Sequence, residues 1–112
     1  TWLGEAHLRT GKPEIAANYF FNALTADKAA ENPAGIATDL SNLGRAHLAQ
    51  GKYAEAAQYL ERAIGINTAL RRTERVLRDL GLLLELAQKT GDNKRELELR
   101  EFIRKLKAGQ PR

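Results

Sequence analysis

Two histidines, His7 and His47, are the side chains best suited to proton transfer or metal binding, since imidazole titrates nearest neutrality. They stand 40 residues apart in matching frames, Leu3-Gly4-Glu5-Ala6-His7-Leu8 and Leu43-Gly44-Arg45-Ala46-His47-Leu48. A shared metal ion would need both rings within a few Å of it, with carboxylate help. Equivalent positions on neighbouring repeats are expected roughly 10 Å apart if helices pack at 8–10 Å. Both histidines are therefore read as packing groups at a helix–helix seam, and no metal is expected. Cysteine is absent, which excludes a disulfide scaffold, a thiolate zinc site and a cysteine nucleophile. No phosphate-cradling glycine loop, G-x-S-x-G elbow or H-E-x-x-H helix occurs. No catalytic residue and no cofactor are expected, and the chain is not read as an enzyme.

The matching frames belong to an internal repeat. With a step of 40, Gly11-Lys12 falls on Gly51-Lys52, Ala16-Ala17 on Ala56-Ala57, Tyr19 on Tyr59, Phe20 on Leu60 and Ala23 on Ala63. A second step gives a weaker copy. Leu83 keeps Leu43, Gly91 keeps Gly51, Leu84 replaces Gly44, Leu99 replaces Tyr59 and Ile103 replaces Ala63. Leu80-Gly81 offers an alternative register for that third copy.

Each repeat reads as two helices. Ile36, Leu40, Leu43, Ala46 and Leu48 recur at helical spacing, so one face is apolar. Asn32 is placed to cap this helix and Pro33 to open it, because proline at the first helical position loses only an unpaired N–H. Gly51 closes the helix, since glycine adopts the left-handed conformation that ends many helices. A second helix follows from about Tyr53 to Leu70, burying Ala56, Ala57, Leu60, Ala63, Ile64 and Ile66. The connection Gly51-Lys52 suits only an antiparallel hairpin. In the first repeat the leading helix is short and Pro13 opens the next. In the third, Thr73 is the expected cap, Gly91-Asp92-Asn93 the turn, and Leu99, Phe102, Ile103 and Leu106 the buried face. Gly44 costs roughly 1 kcal/mol inside a helix. Gly4 and Gly44 are expected to offset that cost by letting the paired helix approach closely, with Phe20, Leu60 and Leu43 filling the space. No strand is expected.

This pattern resembles the tetratricopeptide repeat (TPR), whose signature runs W-x2-L-G-x2-Y, A-x3-F, a small residue and Pro. The second repeat supplies Leu43-Gly44-x2-His47, Ala56-x3-Leu60 and Ala63; the first supplies Leu3-Gly4-x2-His7, Ala16-x3-Phe20 and Ala23. Histidine replaces tyrosine twice, Lys28 and Thr68 stand where the closing proline is usual, and the period is 40 rather than about 34. Longer helices account for both departures and point to the extended-helix branch of the family, as in kinesin light chains. The resemblance implies an all-α fold: antiparallel hairpins stacked as a right-handed solenoid of about three repeats, spanning 1–32, 33–72 and 73–107, the last including a charged helix read as the polar end cap, with a polar tail at 108–112. It implies a concave face lined by the first helix of each hairpin, which takes up a peptide or partner helix. The exposed residues of those helices are Glu5, Arg9, Thr38, Ser41, Asn42, Arg45, Arg78, Glu85 and Lys89. Their mixed signs favour a polar or charged partner segment. A carboxylate clamp of the co-chaperone kind is not expected, since only Asn42 and Arg78 fall at matching places while Thr1, Glu5 and Leu82 do not.

Of the 112 residues, 43% are hydrophobic and 29% charged, the composition of a single globular domain. The net charge is +4. It is uneven: residues 1–70 carry a net −1 and residues 71–112 a net +5. Arg71, Arg72, Arg75 and Arg78 cluster at the start of the third repeat, and Lys94, Arg95, Arg100, Arg104, Lys105 and Lys107 run along its last helix. A nucleic-acid surface would want aromatics interleaved with such cations. Only Phe102 is nearby, and Glu96, Glu98 and Glu101 sit at ion-pair spacing. Nucleic acid is therefore not the expected partner. The rival to a plain scaffold is a regulatory or sensory domain of a larger transcription or signalling protein, in which the repeat holds a peptide or sits against a nucleic-acid-binding neighbour, the basic C-terminal face being the one that would contact nucleic acid. No apolar run reaches the ~20 residues of a membrane span, and the expected compartment is the cytoplasm. The chain starts at Thr1, consistent with a piece of a longer protein. Trp2, Leu3, Tyr19, Phe20 and Phe21 are expected to leave an apolar N-terminal end, which is either covered by a continuation of the chain or used for self-association.

Overall fold

In a computed structural model, residues 1–109 are described, and they form six helices and no strand. These are α1 (Trp2–Arg9), α2 (Pro13–Ala29), α3 (Pro33–Ala49), α4 (Tyr53–Ala69), α5 (Thr73–Thr90) and α6 (Asn93–Ala108). Each packs on the next in sequence, and α3 also reaches α5. The odd helices start 40 residues apart from α3 to α5, and the even helices start 40 apart throughout. The result is a stack of three hairpins with a short leading helix. The tail expected from 108 begins after α6, and its residues 110–112 lie outside the described part of the chain.

Local signals place the helix ends. Asn32 accepts a hydrogen bond from the Gly35 N–H, and Asp92 does the same for Arg95. Gly11, Gly51 and Gly91 take φ of +76°, +76° and +70°. The next N–H then reaches back five residues, from Lys12 to His7, Lys52 to His47 and Asp92 to Ala87. That 6→1 bond is the Schellman closure. The turns between hairpins use the same closure with Glu31 and Arg71 in the left-handed position, at φ of 52° and 57°. Thr73 does not cap α5: Arg72 holds the cap position, with no side-chain bond, and Thr73 is the first helical residue.

The tiny residues are where the helices meet most closely. A Cβ on Gly4 would stand 2.5 Å from Phe20 Cε1, and one on Gly44 2.6 Å from Leu60 Cγ. Phe20 and Leu60 are wholly buried. Burial of side chains this size contributes about 1.5–3 kcal/mol each, which outweighs the helix cost of the glycines. Phe20 thus leaves the exposed N-terminal set predicted from sequence, because the space opened by Gly4 takes its ring. Trp2 and Phe21 are exposed, Leu3 lies at the margin, and Tyr19 is half-buried against His7. Gly81 has open space around it, so the alternative register of the third repeat is not the one adopted.

Two apolar clusters follow the two junctions between hairpins. Phe20, Leu24, Leu40 and Leu43 anchor the first, and Leu60, Val76, Leu80, Leu83 and Leu99 the second.

A candidate interaction groove and two polar seams

The first helices of the hairpins present an open groove of about 640 Å³. Its floor carries Leu8 from α1, Leu48 from α3 and Leu82 from α5, and its sides carry Arg45, Gln50, Tyr53, Glu85 and Lys89. Leu8 and Leu48 are one repeat apart, so the 40-residue step lines up these two, while Leu82 comes from the place that Asn42 holds one repeat earlier. Arg45 is positioned by its neighbours. Its Nη1 donates to Glu5 Oε1 at 2.7 Å and to Asn42 Oδ1 at 3.1 Å. Burial works against the charge on Glu5, but the hydrogen bond and charge of Arg45 prevail and hold its carboxyl below the usual range. A guanidinium fixed in this way has lost little further freedom when a ligand arrives.

The nine residues expected on this face divide into three groups. Glu5, Asn42 and Arg45 form the cluster just described, and Glu85 and Lys89 line the groove beside it. Thr38 and Ser41 are engaged elsewhere. Thr38 Oγ1 accepts from Arg75 Nη1 at 3.2 Å, and Ser41 Oγ donates to Asp79 Oδ1 at 2.7 Å. Arg9 and Arg78 are exposed and stand outside the groove lining, although the charge of Arg78 is felt at Glu5. The leucine floor was not among the expected site residues, although the repeat of Leu8 at Leu48 signalled it.

The histidines are committed to tyrosines. His7 stacks on Tyr19 with ring centroids 5.4 Å apart, and His47 lies 5.0 Å from Tyr59. His47 Nδ1 also sits 2.8 Å from the Leu43 carbonyl. The basic cluster at the head of α5 is partly structural too. Arg72 Nη1 donates to the Ala34 carbonyl at 3.2 Å, and Arg75 holds Thr38, so both tie α5 to α3. Along α6, Arg95 faces Glu61 and Glu98, Arg100 pairs with Glu96, and Arg104 and Lys105 with Glu101, the helical pairs the spacing predicts.

Sequence reasoning missed a pair of buried polar seams. Asp79, almost fully buried, takes Ser41 on one oxygen and Asn67 Nδ2 on the other at 3.2 Å. Burial pushes its pKa up while those two bonds pull it down; the net direction is upward. One repeat earlier, Asp39 stands in the place of Asp79 and Asp27 in the place of Asn67. Asp39 is equally buried, and its Oδ2 finds no donor. Burial first, and then the facing carboxyl of Asp27, push its pKa up to about 7. Asp27 in turn accepts from Asn32 Nδ2 at 3.2 Å, and Gly35 leaves room for both, since a Cβ there would stand 2.5 Å from the Asn32 amide and 2.7 Å from the Asp27 carboxyl. The signal in the sequence was the pairing of Asp27 with Asn67 and Asp39 with Asp79 at the 40-residue step.

Among the described residues no helix is long and apolar enough to cross a membrane.

A tetratricopeptide repeat model matches residues 1–69. Among solved structures, the TPR domain of Arabidopsis FLU superposes with a TM-score of 0.84 at 24% identity, over 90% of this chain and 85% of that one. Kinesin light chain TPR-like repeats from Podosopora anserina superpose with a TM-score of 0.78 at 23% identity over 98% of this chain. The match covers 54% of that chain, so this one spans about half its length. At this identity the two structures establish the fold: an all-α solenoid of stacked hairpins. No curated protein matches the chain.

Proposed function

Because the chain belongs to the tetratricopeptide repeat family, whose members are non-catalytic protein–protein interaction modules, we propose that it binds a peptide segment or partner helix of another protein in the groove across α1, α3 and α5. The observation that carries this reading is the groove's make-up: a leucine floor from three successive repeats beside an arginine already held in place by Glu5 and Asn42. A segment with one or two apolar side chains would bury them on Leu8, Leu48 and Leu82. Charges of both signs flanking those side chains would meet Glu85, Lys89 and Arg45 on the rim. Buried apolar contact supplies affinity in such a site, and the placed charges supply orientation and partner choice.

The test is selection of displayed peptides on the purified chain. Enriched peptides should share an apolar core with flanking charge. Their binding should fall about tenfold or more on Leu82→Asp, with the helical circular dichroism unchanged, since loss of a central apolar anchor costs upwards of ~1–2 kcal/mol. Failure to enrich any sequence, or enriched peptides indifferent to Leu82→Asp and Lys89→Glu, would overturn the reading.

A further inference from the structure

The face of the stack beyond α5 and α6 repeats, one step on, the surface to which α5 itself is docked. On α5 this face shows Leu77, Gly81 and Leu84, and on α6 it shows Arg100, Ile103, Arg104 and Lys107; together they enclose an open groove of about 550 Å³. Forty residues back, the matching positions on α3 and α4 are Ala37, Ser41, Gly44, Leu60, Ala63, Ile64 and Asn67. Those positions support α5, through the apolar cluster around Leu60 and the bonds from Ser41 and Asn67 to Asp79. The fold therefore contains a worked example of the helix that fits this kind of groove. It carries apolar residues in the pattern of Val76, Leu80 and Leu83, with a carboxylate at the place of Asp79.

The chemistry at the outer face differs in one direction. Where the inner surface offers Leu60, Ile64 and Asn67, the outer one offers Arg100, Arg104 and Lys107. Where Thr38 receives Arg75 on the inner surface, Arg78 stands on the outer one. A neutral or basic helix laid here would desolvate these cations without compensation, which is costly. An acidic one would match them. Glu96 and Glu101 already pair with Arg100 and Arg104, so the cation left to an incoming helix within the groove is Lys107, while Arg78 stands outside that lining at the Thr38 place of the repeat. Both lie where the inner seam makes its polar contacts, Lys107 at the Asn67 place opposite Asp79 and Arg78 at the Thr38 place opposite Arg75.

We infer that the α5–α6 face is a second docking surface, separate from the concave groove, for an amphipathic helix of a partner protein. That helix lays an apolar stripe on Leu77, Leu84 and Ile103 and brings carboxylates to Lys107 and Arg78. The docking mode is helix-in-groove, read at i, i+4 and i+7 spacing.

The probe is a synthetic, fluorescently labelled peptide with the sequence of residues 73–90 of this chain and the single change Arg75→Glu, which places its acids opposite Arg78 and Lys107. It is titrated against the whole chain by anisotropy. Saturable binding should weaken about tenfold with Lys107→Glu in the chain. It should recover when that variant meets a probe that also carries Asp79→Lys, because the charge pair has only been reversed. Leu77→Glu should abolish it with the helical signal retained, and Leu82→Asp in the concave groove should leave it unchanged. Absence of saturable binding, indifference to Lys107→Glu, failure of the reversed pair to recover, or loss on Leu82→Asp would each overturn the assignment. Because the two faces are read by different variants, failure here leaves the concave-groove result to stand or fall alone.

Discussion

Asp27→Asn should stabilise the protein at neutral pH and flatten its dependence on pH. Asp39 is buried and faces another carboxyl, so the folded state favours the proton on Asp39 until about pH 7, whereas an ordinary aspartate gives it up near 3.8. The folded chain therefore binds more protons than the unfolded one between those values, and stability must fall as pH rises through that window. The contribution is complete below the unfolded pKa and gone above about 7. Each pH unit of difference is worth ~1.4 kcal/mol, which sets a ceiling of ~4 kcal/mol. Burial, the larger cause, stays when Asp27 is replaced, and Asp27 is half-exposed, so the share that Asp27→Asn returns is an expected ~1–2 kcal/mol. With asparagine at 27 the seam copies the Asn67–Asp79 contact, an amide N–H donating to a carboxylate at 3.2 Å.

The assay is urea unfolding of the two proteins at about pH 3.5 and about pH 7.5, the two sides of the window in which the bound-proton count differs. At the higher pH the variant should gain ~1–2 kcal/mol, or roughly 4–8 °C in Tm for a domain of this size. At the lower pH the two should nearly coincide. The reverse substitution at the other seam, Asn67→Asp, should impose the missing slope on a protein that already has one such pair. An Asp27→Asn variant with the parent's pH slope and no gain at neutral pH would refute the reasoning, because it would mean that the two carboxyls do not feel each other.

Three further outcomes follow from the glycines and the left-handed turns. Gly44→Ala should destabilise by ~1–3 kcal/mol in thermal or urea unfolding, since its Cβ would stand 2.6 Å from buried Leu60 and overpacking exceeds the ~1 kcal/mol of helix propensity gained. Gly65→Ala, with open space around it, should show that propensity alone and stabilise by up to ~1 kcal/mol. Glu31→Gly and Arg71→Gly, at the two left-handed turn positions without glycine, should each stabilise by ~0.5–1 kcal/mol, because the left-handed conformation costs a side-chain-bearing residue about 1–2 kcal/mol and glycine gives back part of that as unfolded-chain entropy. Unfolding midpoints unchanged by either substitution would count against strain at those turns.

The architecture was legible because it is written three times. Each copy carries its own glycine turn, and two carry the Gly-against-large pair that sets helix spacing, so period and hairpin order could be read from residue types alone. Phe20 was read in two ways, as filling the space at the Gly4 junction and as part of the exposed run Tyr19-Phe20-Phe21; only the first holds, because Gly4 opens the space its ring takes. Thr73 was misplaced because a threonine one residue late is a good cap in sequence but the first helical residue in space. The groove was half legible. Exposed polar positions on the first helices could be counted, but not which of them cross-link repeats; Thr38 and Ser41 proved to be spent on Arg75 and Asp79. The carboxyl pair was hidden for a different reason. Asp27 and Asp39 look like ordinary surface charges, and only the packing of α2 on α3 takes Asp39 out of water.

One position of the repeat holds Asp27, then Asn67, then Lys107, on helices whose starts keep the same step. The backbone tolerates all three because helix spacing is set elsewhere, by Gly4 under Phe20 and Gly44 under Leu60. What changes is the complement each residue demands from the helix laid over it. Asn67 satisfies a buried carboxylate outright. Asp27 satisfies one only while a proton is shared. Lys107 asks for a carboxylate that nothing on α5 or α6 places opposite it across that groove. Stacking geometry and stacking affinity are therefore set by different residues in this solenoid. The first is fixed by steric pairs that a single methyl group would disturb, and the second by a polar position whose charge can change without moving the helices.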